Sequence, residues 1–145
     1  EVAAFAEPVG LAAVQQAVYV TDAAGSAIRS VNVRTRQVQT LVGQGAWEFG
    51  RADGQRVDAR LQQPQALALD PDSPRLWIAD SGNDVLRTLR LGGGELGTFE
   101  LPRPLHGPSG LAVADGVVWI ADTDAHAVLR LDTRDGTMSH VPIGE

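Results

Sequence analysis

The sequence of 145 residues predicts an all-β fold made of three copies of one four-stranded unit. Three observations support this prediction: a short motif occurs three times, apolar residues stand at constant distances around each copy, and Gly (16) and Pro (8) are frequent. Short strands joined by tight turns require these two turn-forming residues. Four short strands in every 40–45 residues are typical of the blades of a β-propeller.

The repeated motif is an apolar residue, an aromatic residue, a second apolar residue, a small residue and an aspartate. Its three copies are Val18–Asp22, Leu76–Asp80 and Val118–Asp122. Consecutive apolar positions indicate a strand that is covered on both faces. We therefore predict that the aromatic residues of the motif pack between neighbouring blades. These residues are Tyr19, Trp77 and Trp119.

The aspartates of the motif, Asp22, Asp80 and Asp122, stand where the motif strand ends. A carboxylate at this position can accept hydrogen bonds from backbone N–H groups of the following turn, so we predict a structural role in that turn. Three arginines, Arg29, Arg87 and Arg130, follow the start of the next strand. They are predicted to form ion pairs or to lie along the blade faces.

Each unit contains four predicted strands, a to d. Strand a covers about 9–14, 65–70 and 109–114, and strand b covers about 17–21, 75–79 and 117–121. Strand c covers about 27–32, 85–91 and 127–132, and strand d covers about 37–42, 95–100 and 137–142. The predicted domain is a single propeller segment, 1–145, with blades at about 3–43, 59–101 and 103–142.

A longer segment separates the first two blades, because the motif aspartates are 58 and then 42 residues apart. The extra residues form a glycine-rich loop at about 44–58, which contains Trp47, Phe49, Arg51 and Asp53. Exposed aromatic residues beside arginine are common in recognition surfaces, so the loop is a candidate ligand-binding segment. The alternative is that Trp47 and Phe49 pack on the neighbouring blade and close the edge of the ring.

The pattern Pro-x-Gly-Leu-Ala at 108–112, the motif that ends at Asp122 and the turn that contains His126 resemble the NHL repeat. The stretch from Leu41 to Pro64 is similar to segments between blades of NHL proteins that also carry a thioredoxin-like domain, which this sequence does not contain. The resemblance implies a β-propeller. It leaves the function open, because NHL propellers include RNA-binding proteins, protein-binding modules and lyases.

Three blades are too few to close a propeller, since single-chain propellers usually carry four to eight. An arc of three exposes one apolar flank on blade 1 and one on blade 3. Each Å² of apolar area left in water costs about 25 cal/mol of stability. The sequence therefore predicts a homodimer in which blade 3 of each chain packs on blade 1 of the other, giving a six-bladed ring. The alternative is that this chain is part of a longer propeller.

Composition narrows the functional classes. The net charge of −6 disfavours an RNA-binding module or any other nucleic-acid partner, and the absence of Cys excludes thiolate chemistry. His106, His126 and His140 lie before strand a, at the start of strand c and in strand d of the third unit, so no metal or other cofactor is expected. No apolar run reaches the ~18 residues of a membrane span and no basic signal-peptide region is visible, which predicts a soluble protein in an undetermined compartment.

The function favoured by the sequence is a non-enzymatic binding or scaffold module whose ligand is a protein or peptide. The alternative is an enzyme of the propeller lyase or lactonase type with a site in the central channel. Clustered carboxylates or a metal in that channel would favour the enzyme.

Overall fold

The computed structural model describes residues 5–45 and 47–142. The predicted first residues of blade 1 and Ala46 of the loop lie outside these ranges. Within them, twelve strands form three four-stranded antiparallel sheets, and no α-helix occurs. The predicted all-β propeller fold of three blades is confirmed.

The four strands of each sheet follow one another in space in the order of the chain. Blade 1 consists of β1 (Pro8–Val14), β2 (Ala17–Asp22), β3 (Ala27–Asn32) and β4 (Val38–Val42). Blade 2 consists of β5 (Ala66–Leu69), β6 (Arg75–Asp80), β7 (Val85–Arg90) and β8 (Leu96–Phe99). Blade 3 consists of β9 (Pro108–Ala114), β10 (Val117–Asp122), β11 (Ala127–Asp132) and β12 (Met138–His140).

Tight turns join these strands because the sequence supplies residues that tolerate a left-handed backbone. The β9–β10 hairpin is the clearest case: Asp115 has φ 54° and Gly116 has φ 74°. Two consecutive residues with positive φ form the turn whose twist matches that of the flanking strands. Short 3₁₀ turns at 81–83 and 123–125 connect the second and third strands of blades 2 and 3.

The hydrophobic core lies between the blades. One cluster joins blades 1 and 2, and its fully buried members include Ile28, Val42, Leu76 and Ile78. A second cluster joins blades 2 and 3 and includes Trp77, Leu86, Leu105, Val118, Ile120, Leu129 and Leu131. The first strands of neighbouring blades, β1 with β5 and β5 with β9, lie side by side. Each blade is therefore held by its neighbours.

Cross-strand registers define equivalent positions in the three blades. One row of paired residues faces the preceding blade in blades 2 and 3, and the equivalent row of blade 1 lies on the outer flank of that blade. The rows are Leu11–Val20–Arg29–Thr40, Leu67–Ile78–Arg87–Thr98 and Leu111–Ile120–Leu129–His140. The alternate rows contain Tyr19 and Trp77, which face the following blade, and Trp119, which lies on the outer flank of blade 3. No helix in the described ranges is long and apolar enough to cross a membrane.

Candidate functional site

The aromatic residues of the motif have different surroundings in the three blades. Trp77 is fully buried in the cluster between blades 2 and 3, with its ring 5.2 Å from that of Phe99. Tyr19 is partly buried against the cluster between blades 1 and 2. Trp119 is 37% exposed on the outer face of blade 3, where the Arg130 guanidinium lies 5.9 Å from its ring centre. A packing role against a further blade remains a prediction for Trp119.

The Trp77 ring also has polar partners that the sequence analysis missed. Its indole N–H donates to Asp70 Oδ2 at 3.0 Å, and the guanidinium of Arg75 lies 4.4 Å from the ring centre. Asp70 also accepts a bond of 2.9 Å from Arg75 Nε. Burial opposes ionisation of Asp70, but hydrogen bonds from Asp72, Arg75 and Trp77 outweigh it and lower the pKa of the Asp70 carboxyl. The other motif copies gave no signal for this arrangement, since Ala114 occupies the matching position in blade 3.

The three motif aspartates are buried, but their donors differ from those predicted. Each accepts a backbone N–H from the segment that precedes the first strand of its own blade, not from the turn that follows. The bonds are Glu7 N to Asp22 (2.7 Å), Gln62 N to Asp80 (2.8 Å) and His106 N to Asp122 (2.5 Å). The entering segment crosses the end of the motif strand, where its amides are removed from water and need an acceptor. The carboxylates therefore fix the start of each blade to its second strand.

Each motif aspartate also has a cationic or ionisable partner, and this partner is an arginine in blades 1 and 2 only. Arg29 contacts Asp22 at 2.9 Å, and Arg87 contacts Asp80 at 2.8 Å. Leu129 occupies the equivalent position in blade 3, and Arg130, one residue later, points to the opposite face. A shift of one residue reverses the face of a strand side chain, and the spacing from the aspartate is eight residues in place of seven. The ring Nδ1 of His106 lies 3.4 Å from Asp122 instead.

Arg87 is the centre of a buried network beneath the long loop. Its Nη1 donates to Asp80 Oδ2 (2.8 Å) and to the Arg60 carbonyl (3.0 Å). Its Nη2 donates to the Ala52 carbonyl (2.9 Å) and to Asp53 Oδ1 (2.8 Å). Because the Arg87 side chain is 0% exposed, these bonds attach the loop to blade 2 in a water-poor environment.

Asn83 completes the network from the other side of Asp80. Its side-chain amide donates to Asp80 Oδ2 at 2.7 Å and to the Gly50 carbonyl at 2.8 Å. Burial raises the pKa of Asp80, and the hydrogen bonds from Asn83, Gln62 and Arg87 act in the opposite direction. Sequence reasoning missed Asn83, which falls in the short 3₁₀ turn after the motif.

The four predicted loop residues do not form one group. Trp47 is 90% exposed and Phe49 is 50% exposed, so neither side chain is buried against a blade of this chain. Arg51 is exposed and lines a cleft of about 330 Å³ with Phe99 and Arg103. Trp47, Phe49 and Arg51 are therefore accessible to a ligand.

The Asp53 carboxylate is held by contacts within the chain. Its Oδ1 accepts from Arg87 and, at 2.8 Å, from the Thr98 hydroxyl. Burial opposes its ionisation, but the bonds from Thr98 and Arg87 outweigh that effect and lower the pKa of Asp53. The same carboxylate cannot be freely available to a ligand while these bonds persist. The sequence could have identified Thr98 as a repeated position, because Thr40 and Thr98 each stand 18 residues after a motif aspartate.

The loop backbone is itself partly ordered. Ala52 pairs with Arg60 in an antiparallel bridge, and Gly54 pairs with Leu96 at the outer edge of β8. Both Gly54–Leu96 backbone bonds measure 2.9 Å. The loop therefore adds a fifth segment to the outer edge of blade 2, with Trp47 and Phe49 at its start. In the described ranges, no group of three or more His, Asp or Glu side chains could hold a metal ion.

Comparison with known proteins finds similarity to proteins that contain the NHL repeat. A family model described as the NHL repeat matches residues 105–131. The chain is 28% identical to NHL repeat-containing protein 2 of Bos taurus over 97% of its own length, and it spans 23% of that relative.

Two solved structures show the same fold. The nidogen/laminin complex aligns with a TM-score of 0.73 and 16% identity, over 92% of this chain and 46% of the matched chain. Virginiamycin B lyase from Staphylococcus aureus aligns with a TM-score of 0.67 and 16% identity, over 96% of this chain and 42% of the lyase. The resemblance to the NHL-repeat β-propeller family is therefore confirmed: the repeat model identifies blade 3 directly, and the same four-stranded fold extends over the other two blades.

Proposed function

We propose that this chain is a non-enzymatic binding module of NHL-propeller type that recognises a protein or peptide through its long loop. The observation that carries the proposal is the exposure of two aromatic side chains, Trp47 (90%) and Phe49 (50%), on a segment with a fixed base. Tryptophan and arginine are enriched among the residues that dominate binding energy in protein interfaces.

The base of the loop supports recognition because it limits the entropy lost on binding. Arg87 and Asn83 bind the backbone at Ala52 and Gly50, immediately after the aromatic residues. A segment that is already ordered loses less conformational freedom when a ligand binds. Arg51 adds a positive charge beside an adjacent cleft, which favours a ligand with an acidic or carbonyl-rich segment.

The test is to pan a random peptide library against the immobilised chain and to measure the Kd of recovered peptides. The double variant Trp47→Ala/Phe49→Ala should weaken binding at least about tenfold, since each aromatic anchor contributes more than 1 kcal/mol in such interfaces. Val57→Ala is the matched control, because Val57 is also exposed (68%) on the same segment. Recovered peptides that bind the double variant and the wild type equally would contradict the proposal.

The module also needs a cover for its two outer flanks, and a second copy of the chain fits them. The flank of blade 3 carries Trp119 and Val128 (37% and 42% exposed), at the positions that Trp77 and Leu86 occupy in the interface between blades 2 and 3. The flank of blade 1 carries Leu11, which is 69% exposed where its equivalent Leu67 is 5% exposed. The two flanks are thus the two halves of one repeating interface, as a two-fold ring requires.

Sedimentation equilibrium tests this assembly. We expect a dimer of two 15.3 kDa chains, which Val128→Glu and Leu11→Glu each convert to monomer because a carboxylate would be buried without a partner. Val57→Glu is the control and should remain dimeric. A wild-type chain that sediments as a monomer at micromolar concentration would overturn the assembly and leave the loop proposal standing.

A further inference from the structure

A small set of groups on blade 2 holds the long loop, and we call this set the receiving surface. Arg87 and Thr98 are neighbours in one cross-strand row, and the Asp53 carboxylate binds both, at 2.8 Å each. The next residue, Gly54, pairs with the backbone of Leu96 at the sheet edge. Blade 2 thus binds an extended Ala-Asp-Gly segment through a guanidinium, a hydroxyl and an open strand edge.

Blade 1 carries the same receiving surface. Arg29 and Thr40 are paired neighbours in the equivalent row, and Val38 occupies the position of Leu96 in the outer strand β4. Asp22 fixes the Arg29 Nε at 2.9 Å, in the role that Asp80 has for Arg87. The guanidinium, the hydroxyl and the strand edge that hold Asp53 and Gly54 on blade 2 therefore have counterparts on blade 1, whereas Gly25 stands at the position of Asn83.

The two surfaces differ in occupancy. Arg29 donates to the Thr40 hydroxyl directly, at 2.6 Å, where a carboxylate separates Arg87 from Thr98. Within residues 5–45 and 47–142, Asp22 is the only carboxylate in salt-bridge contact with Arg29, and β4 is paired along one edge only. The Arg29 side chain is 17% exposed, whereas that of Arg87 is 0% exposed under the loop.

We propose that Arg29, Thr40 and the outer edge of β4 form a binding site for an extended, aspartate-bearing segment of a partner polypeptide. The aspartate carboxylate would enter between the guanidinium and the hydroxyl, and a following glycine would pair with Val38. Glycine fits that position because Gly54, its counterpart on blade 2, has φ 128°, a conformation that residues with side chains adopt at a cost. Edge pairing supplies affinity from the backbone, and the arginine–carboxylate pair supplies selectivity.

The chain's own loop provides the probe. A capped, fluorescein-labelled peptide of residues 50–61 carries the Ala-Asp-Gly segment, and its binding to the full chain is followed by fluorescence anisotropy. We expect saturable binding that weakens at least about tenfold for the peptide with Asp53→Asn, because a charge-assisted pair is lost. Backbone amide shifts of Val38 and Arg29 in ¹⁵N NMR spectra should move on titration with the unmodified peptide.

Variants of the chain locate the site. Arg29→Gln and Thr40→Val should each weaken the peptide, and Arg34→Gln, on the exposed turn that follows β3, should leave its Kd unchanged. The Asp53→Asn peptide keeps the test valid if Arg29→Gln unfolds blade 1. Absence of saturable binding up to about 1 mM, equal binding of the two peptides, or binding that survives both protein variants would each overturn the proposal. None of these outcomes depends on Trp47 or Phe49, which the peptide lacks.

Discussion

Replacement of Arg87 by methionine tests whether the buried network holds the long loop on blade 2. Methionine keeps most of the apolar stem and removes the guanidinium. The change leaves the Asp80 carboxylate, which is 0% exposed, without its cationic partner. It also removes the donor to the carbonyls of Arg60 and Ala52 and to Asp53.

The expected cost follows from these contacts. Removing one partner of a buried ion pair destabilises a protein by about 3–5 kcal/mol, because the remaining charge is left without compensation. The carbonyls of Arg60 and Ala52 and the half-exposed Asp53 can turn to water, so they add little beyond that range. Since domains of this size are stable by about 5–15 kcal/mol, Arg87→Met should remove a large part of the total.

Urea denaturation followed by tryptophan fluorescence measures this cost, because Trp77 is buried beside blade 3. Arg29→Met is the comparison variant, since it also removes the cation beside a carboxylate that is 0% exposed. Asp22 keeps backbone donors from Ala6 and Glu7, and its pKa is lowered where burial raises that of Asp80, so we expect a smaller loss of about 1–2 kcal/mol. Adding Asp80→Asn to Arg87→Met should restore part of the stability, since an amide needs no counter-charge. A loss below about 1 kcal/mol for Arg87→Met, or an equal loss for Arg29→Met, would refute the reasoning.

Three further predictions concern stability. Burial opposes ionisation of Asp22, but hydrogen bonds from Glu7, Ala6 and Arg29 outweigh it and lower the pKa of the carboxyl below its ordinary value of 3.8. The stabilisation of the fold by the ionised carboxylate is therefore present above pH 3.8 and is lost as the pH falls through the lowered pKa. Urea midpoints measured from pH 6 to pH 2.5 should fall across that window, and Asp22→Asn should flatten the slope. Leu105→Ala, in the buried segment between blades 2 and 3, should cost about 2–5 kcal/mol in the same assay, and a cost near zero would place Leu105 outside the core. Gly10→Ala should cost about 1–3 kcal/mol, because the added Cβ would lie 3.1 Å from the Gln65 carbonyl and 3.2 Å from the Ala66 Cα, and an unchanged midpoint would show that blades 1 and 2 are not this close.

The sequence was sufficient to predict the strands because they depend on local patterns that recur. The predicted strand b at about 75–79 corresponds to Arg75–Asp80, and the other strands agree to within about two residues. The long loop was also identified, because the spacing between repeats reports any inserted segment. Its exposed aromatic residues were identified by type, but their exposure could not be predicted from residue type alone.

The partners of the charged residues could not be predicted from the sequence. Asp53 is of a residue type usually found at the surface, yet its carboxylate binds Arg87, 34 positions away in the chain. The donors to the motif aspartates were misassigned for the same reason, since Gln62 reaches Asp80 only because the segment that enters blade 2 crosses the end of β6. Arg130 was grouped with Arg29 and Arg87, but it stands eight residues after its aspartate in place of seven, which puts it on the opposite face of its strand.

The departures from the repeat carry more information about function than the repeat itself. The third position of the row that begins at Leu11, Leu67 and Leu111 holds a loop-bound arginine in blade 2, a partly exposed arginine in blade 1 and Leu129 in blade 3. Blade 3 needs no guanidinium there, because the segment that enters it is short and places Leu105 and the His106 amide directly against the blade. Blade 2 needs one because it receives a long loop. By that logic, the arginine in blade 1 supports the proposed site for an aspartate-bearing segment, and within residues 5–45 and 47–142 its one carboxylate partner is Asp22.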